Sequence, residues 1–132
     1  MQQSNFVGST ALHFACQYVH TETSSVLLAA GAAVDQSHLD GSTALHVACQ
    51  IVHTETTSVL LAAGAAVAHA TNDGMAALFA ACQGGHTETA AMLVAAGAAL
   101  DQATNMGATP LWGACQGGHT ETAAMLVAAG AA

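Results

Sequence analysis

The feature that most limits how this chain can fold is its self-similarity at a fixed spacing of 33 residues. Residues 8–40 read GSTALHFACQYVHTETSSVLLAAGAAVDQSHLD, and residues 41–73 read GSTALHVACQIVHTETTSVLLAAGAAVAHATND. Residues 74–106 follow as GMAALFAACQGGHTETAAMLVAAGAALDQATNM, and 107–132 as GATPLWGACQGGHTETAAMLVAAGAA, inside a fourth unit. The last two units are identical over ACQGGHTETAAMLVAAGAA. A strict period of this length marks a stack of like units, each of which buries its apolar face only against its neighbours.

Each unit carries the same local instructions. Gly8, Gly41, Gly74 and Gly107 open the units where a tight turn is needed. Thr10, Thr43 and Thr109 follow two residues later and are suited to cap a helix start. A short first helix then places Leu12, Ala15 and Cys16 on one side, at i, i+3 and i+4, with counterparts in every unit. The HTET run begins a second helix. Glu22, Glu55, Glu88 and Glu121 fall in its first turn, where the helix dipole favours an anion. Val26, Leu27 and Ala30 are the expected apolar stripe of that helix. Gly31, Gly64, Gly97 and Gly130 are placed to end it in a left-handed cap. A β-turn linker spanning roughly 34–41 leads to the next unit.

These units resemble ankyrin repeats, whose hallmarks are a Gly-x-Thr-Pro-Leu-His start, an Ala-Ala pair, Gly-His-x-Glu, a Leu-Leu run and Gly-Ala. The matching segments are GSTALH twice, GMAALF and GATPLW; AC for the Ala pair; GHTE in the last two units; and VLLAAGAA or MLVAAGAA. The likeness covers 8–132 and implies an all-α solenoid of stacked helix-turn-helix units joined by β-turn loops. It implies one domain over 1–132, with units 8–40, 41–73, 74–106 and 107–132. His13 and His46 stand where the family uses His to tie a repeat to adjacent backbone. There are departures. Proline remains only at Pro110, and Phe79 and Trp112 replace the His. Val19 and Val52 replace the inter-helix Gly, and a β-branched residue disfavours a left-handed turn, so those two turns are expected to differ in shape.

Charge narrows the function. The chain has eight Asp plus Glu, eight His, no Lys or Arg, and a formal charge of −8. An average domain is about a quarter charged, with both signs present. Three origins fit the missing cations: removal by design, a sequence assigned from density in which unseen charged side chains were entered as small ones, or selection of an acidic chain. Nothing here neutralises phosphates, which argues against nucleic acid and against an anionic membrane surface. Residues 1–5 are polar and uncharged and read as no secretory leader. The longest apolar run, 90–100, falls short of the ~20 residues of a spanning helix. The expectation is a soluble, intracellular protein.

Four Cys and eight His raise the question of metal. Cys16/His20, Cys49/His53, Cys82/His86 and Cys115/His119 recur four residues apart. Equivalent positions in neighbouring units should lie ~8–10 Å apart, whereas zinc holds its ligand atoms about 2 Å from one centre. Each unit thus offers two ligands and borrows none, so no metal and no cofactor is expected. The Cys occupies the packed Ala-Ala slot and reads as a small buried hydrophobe. Disulfides between units are excluded on the same ground, because bridged Cα atoms lie within ~7 Å. Free thiols suit a reducing compartment. The sequence shows no nucleophile with a base, no facing carboxylate pair and no phosphate loop, and the chain is expected not to be an enzyme.

The resemblance implies a concave partner-binding face built from the β-turn tips and the exposed side of the first helices. On this sequence the tips carry Leu39, Asp40, Ser42, Asn72, Asp73, Met75, Asn105, Met106 and Ala108. The helices add Gln17, Tyr18, Gln50, Ile51, Gln83 and Gln116. Tyr18, Leu39, Ile51, Met75 and Met106 are apolar where polar residues are the ordinary expectation, and clustered exposed apolar residues mark interfaces. The leading function is a non-catalytic protein-binding scaffold. Two alternatives stand beside it: a building block that self-associates through uncapped repeat ends, and a designed scaffold with no natural partner.

Overall fold

The computed structural model describes residues 11–12, 15–16, 21–35, 37, 40–50 and 54–131. Among them are seven helices: α1 (Thr21–Ala29), α2 (Ala44–Gln50), α3 (Thr54–Ala62), α4 (Ala77–Gln83), α5 (Thr87–Ala95), α6 (Pro110–Gln116) and α7 (Thr120–Ala129). Residues 11–12 and 15–16 are helical as well. The described residues contain no strand, only an isolated bridge between Ala70 and Ala76 at the base of one finger. Helices α2, α4 and α6 form an inner row and α1, α3, α5 and α7 an outer row. Each inner helix packs on the outer helix of its own unit, and α2 and α4 pack also on the inner helix of the next.

Small residues set the spacing of the rows. Ala44, Ala48, Cys49, Ala77, Ala81, Cys82 and Ala114 are buried on the inner helices, with Leu45 and Leu78 as the large side chains between them. Leu12, Ala15 and Cys16 are buried in the first unit, on the side their spacing assigns. Cys115 is the exception. It is exposed, because no described helix lies over the outer side of α6 as α6 lies over Cys82.

The outer helices bury a face different from the expected one. Val26 is 66% exposed, and Ala30 and its counterparts Ala63, Ala96 and Ala129 are exposed, while Leu27 is half-buried. The face that packs is Ser24 in α1, Thr56, Thr57 and Leu60 in α3, Thr89, Ala90 and Leu93 in α5, and Thr122 and Leu126 in α7. The buried stripe is therefore partly hydroxylic. Thr21 Oγ1 lies 2.8 Å from Thr56 Oγ1, and the Thr87 and Thr122 hydroxyls are 2.6 Å apart. A pattern counted on apolar residues alone rotates the helix away from these Thr.

The outer helices end at Gly31, Gly64, Gly97 and Gly130, all with positive φ, as expected. The turns after them form stacked fingers. Asn72 N–H donates to Asp40 C=O and Asn105 N–H to Asp73 C=O, each at 2.9 Å. Gly41 and Gly74 sit where these fingers meet, at φ 87° and 83°. A Cβ at Gly41 would stand 2.8 Å from the Asn72 nitrogen, and one at Gly74 2.7 Å from that of Asn105. Left-handed backbone and close approach together demand glycine there.

Thr109 caps α6 as expected, its hydroxyl accepting from Trp112 N–H at 3.3 Å. Thr43 does something else and turns its hydroxyl to the His46 ring. Thr10, His13, Val19 and Val52 lie outside the described residues.

Candidate functional site

The face expected to meet a partner comprises the fingertips and the exposed ends of the inner helices. Asp40, Asn72, Asp73, Asn105 and Met106 are exposed at the tips, and Ser42, Met75 and Ala108 are half-buried behind them. Gln50, Gln83 and Gln116 are exposed at the last positions of α2, α4 and α6. Gln17, Tyr18, Leu39 and Ile51 lie outside the described residues.

The structure joins part of this set and leaves part apart. Asp73, Met75, Asn105, Met106 and Ala108 surround a groove of about 520 Å³ whose remaining side chains are chiefly Phe79 and Trp112. Phe79 is 4% exposed and lies deep in it, whereas Trp112 is 51% and Met106 94% exposed. Asn72 shares a finger with Asp73 and Met75 but does not line the groove, and Asp40 and Ser42 belong to the finger before it. There the Asp40 carboxylate accepts from Ser42 N–H at 2.9 Å. The three Gln do not line the groove.

The junction at Asp40 is closed by His46. Its Nδ1 accepts from Thr43 N–H at 3.1 Å, so the proton sits on Nε2, which donates to Met75 C=O at 2.9 Å. The Thr43 hydroxyl adds a 3.0 Å bond to Nδ1. The ring is 2% exposed, and burial holds its pKa below the ordinary histidine value. The Met75 carbonyl and the Asp40 carboxylate act in the opposite sense, and His69, edge-on at 6.0 Å, acts both ways, its charge lowering the pKa and its backbone raising it. This is the tie to adjacent backbone that the resemblance implied for His46.

One unit on, Phe79 stands in the place of His46 and Ala76 in that of Thr43. Phenylalanine donates no hydrogen bond, so the Ala108 carbonyl keeps the Thr104 N–H at 2.8 Å with no side-chain donor to match His46. The ring is accommodated by Gly113 on α6, where a Cβ would be 3.3 Å from Phe79 Cε2. Sequence reading registered Phe79 and Trp112 as departures from the repeat and did not place them on the face. Their signal was available, since both carry an aromatic ring at the position where the first two units have His.

A second pattern also escaped that reading. His86 Nε2 lies 3.3 Å from Gln50 C=O, and His119 Nε2 3.0 Å from Gln83 C=O, so in the third and fourth units the HTET histidine is a tether to the end of the inner helix before it. The Gly-Gly pairs leave space for these rings. A Cβ on Gly84 would fall 2.6 Å from His86 Nε2, and one on Gly117 2.5 Å from His119 Nε2. The readable sign was the Gly-Gly-His run repeated in both units.

The chemistry of the remaining groups is quiet. Burial pushes the Cys49 and Cys82 thiols up to about 12, and raises that of Cys16 against the opposing effect of its 3.5 Å contact with Ser24. Thiols held so high are poor nucleophiles and poor metal ligands. Cys115 and His119 share a shallow hollow of about 290 Å³. Among the described residues no three His, Cys, Asp or Glu side chains converge as a metal site would require. None of the described helices is long and apolar enough to cross a membrane.

Paired helices, left-handed helix ends and stacked fingers define a linear helical repeat protein. The model for ankyrin repeats (three copies) matches residues 1–71 and 53–132, and the chain belongs to the ankyrin-repeat family. No curated protein sequence matches it at a significant level. Ankyrin repeats generally mediate protein–protein interaction and are generally non-enzymatic.

Proposed function

We propose that this chain is a non-catalytic scaffold that engages a partner protein through its concave face, with Asp73, Met75, Asn105, Met106, Ala108 and the exposed Trp112 at the centre of contact. The observation that supports it most is the groove itself. An exposed indole, a 94% exposed methionine and polar fingertips meet in one concavity, the mixture of aromatic anchor and polar rim that interfaces favour. The remaining fingertip and helix-end residues, Asp40, Ser42, Asn72, Gln50, Gln83 and Gln116, form the periphery. Leu39, Gln17, Tyr18 and Ile51 extend the face along the first two units by repeat equivalence. Four free thiols, three of them buried, fit a reducing compartment.

Panning a random peptide library against the chain tests this reading. Selected peptides should lose about tenfold in affinity on a Met106→Gln/Trp112→Gln variant. They should be unaffected by Ser58→Gln/Ala95→Gln on exposed positions of the outer helices. Binders with the reverse dependence would overturn it.

A further inference from the structure

We propose that the groove between Asp73, Phe79, Met106 and Trp112 receives an arginine side chain from a basic segment of the partner. This rests on the concave-face reading above and gives the partner its chemistry.

The argument begins with charge. The chain holds no Lys or Arg and has a formal charge of −8, so, its histidines and amino terminus aside, any cation that pairs with its carboxylates comes from elsewhere. Asp73 is exposed on the rim of the groove. Its backbone carbonyl is bonded to Asn105, but among the described residues nothing pairs with its carboxylate. Asp40, its counterpart one unit earlier, is already engaged with Ser42 N–H. The two fingers therefore differ in the one group that binds a cation.

The aromatic groups differ in the same way. At the earlier junction the inner-helix side chain is His46, buried and bonded at both nitrogens. At the later one Phe79 lines the depth of the groove and Trp112 stands half exposed beside it. Indole is the strongest cation–π partner among the side chains, and guanidinium is the cation most often found on it. Met75 and Met106 add soft apolar surface for the methylene stem. The volume, about 520 Å³, lies in the range of sites that take a discrete ligand group.

Arginine fits this set better than lysine. Its planar fork stacks on an indole while pairing edge-on with a carboxylate, and it is more weakly hydrated than an ammonium. With Asp40 engaged and His46 filling the earlier junction, the described face offers one such site, so binding should saturate at one arginine per chain.

Trp112 is the only tryptophan and reports on the groove directly. The probes are a blocked nonapeptide of alternating Gly and Arg, its Lys-for-Arg counterpart and its citrulline-for-Arg counterpart, titrated by tryptophan fluorescence. The Arg peptide should give a saturable change, with the Lys peptide about fivefold weaker and the citrulline peptide silent. Asp73→Asn should weaken Arg binding about tenfold. Glu121→Gln removes the same charge from the start of α7, outside the groove, and should change it by less than about twofold. Circular dichroism checks that both variants remain folded, and calorimetry on Trp112→Gln should show binding lost without the fluorescent reporter. Equal effects of Asp73→Asn and Glu121→Gln would reduce the interaction to diffuse charge and overturn the proposal. Equal binding of the Arg and citrulline peptides would overturn it too. The panned peptides separate this failure from that of the reading beneath it. If they need Met106 and Trp112 yet ignore Asp73→Asn, the concave face stands and the arginine site falls. If none needs the concave face, both fall.

Discussion

The junction after the second unit and the junction after the third share a backbone and differ in what fills it. Both fingers close on themselves, Thr71 N–H to Met75 C=O at 2.9 Å and Thr104 N–H to Ala108 C=O at 2.8 Å, and both lean on the finger before. In the first, Thr43 and His46 build a polar latch that fills the space behind the finger. In the second, Ala76 and Phe79 supply no donor, and the space behind the finger is part of the groove. Two substitutions within one repeat template thus turn a closed joint into a cavity with an aromatic floor. In a linear repeat this is a natural route to a site, because each junction answers mainly to its neighbours.

The comparison holds only if the two units have the same core beneath the differing junctions. Leu45 and Leu78 are each 1% exposed at equivalent positions. Leu45→Ala and Leu78→Ala should therefore cost alike, ~2–5 kcal/mol each in denaturant unfolding. A cost under about 0.5 kcal/mol at either would show that the side chain is not core.

A smaller effect is expected from the latch itself. His46→Phe copies the third unit's solution into the second and leaves the buried Thr43 N–H and hydroxyl without their partner. An unpaired buried donor costs ~1–3 kcal/mol. The latch should also carry a pH signature. Burial lowers the folded pKa of His46, so the unfolded chain takes up the proton first as pH falls below ~6.5. The latch's contribution is complete above that pH and is lost as pH drops from there toward the folded value. The groups that bear on it are the Met75 carbonyl and Asp40, which oppose the lowering, and His69, whose charge deepens it while its backbone opposes it. Stability measured from pH 8 to 5 should fall more steeply for the parent than for His46→Phe. Parallel curves would assign the pH dependence to other groups.

Most of the fold could be read before any coordinates, for a simple reason. Period, turn glycines and buried Leu and Ala are signals repeated in register, so each unit confirms the others. What escaped lay where repetition fails or where polarity misleads. Thr56 and Thr122 are buried on the outer-helix face that meets the preceding unit, and Thr57 is buried beside Thr56, yet a count of apolar residues favoured Val26 and Ala30. The groove was half legible. Fingertips follow from the template, but the groove depends on Phe79 and Trp112, which are visible only as exceptions to it. The HTET histidines recur in every unit and looked like candidate ligands, whereas in the last two units they are tethers to a carbonyl 36 residues back.

The smallest effect is expected at Gly113, and it tests whether the two junctions were built as matched pairs. Gly113 is buried in the middle of α6, where glycine costs ~1 kcal/mol relative to alanine. The equivalent position one unit earlier is Ala80, in the unit that follows His46 rather than Phe79. A Cβ at Gly113 would meet Phe79 Cε2 at 3.3 Å and Cζ at 3.5 Å, inside or at the near edge of the ~3.5–4.0 Å optimum for carbon contacts. Relief requires the ring to shift by a few tenths of an ångström, and the open side is the groove. Gly113→Ala should then gain helix propensity and lose packing in similar measure, with a net change within about 0.5 kcal/mol. In a Phe79→His background the obstructing ring edge is smaller, and the same substitution should show nearly the whole ~1 kcal/mol gain. The double-mutant cycle isolates the contact. If Gly113→Ala stabilises both backgrounds equally, the phenyl ring is not what keeps glycine at this position, and the pairing of Phe79 with Gly113 is incidental to the groove.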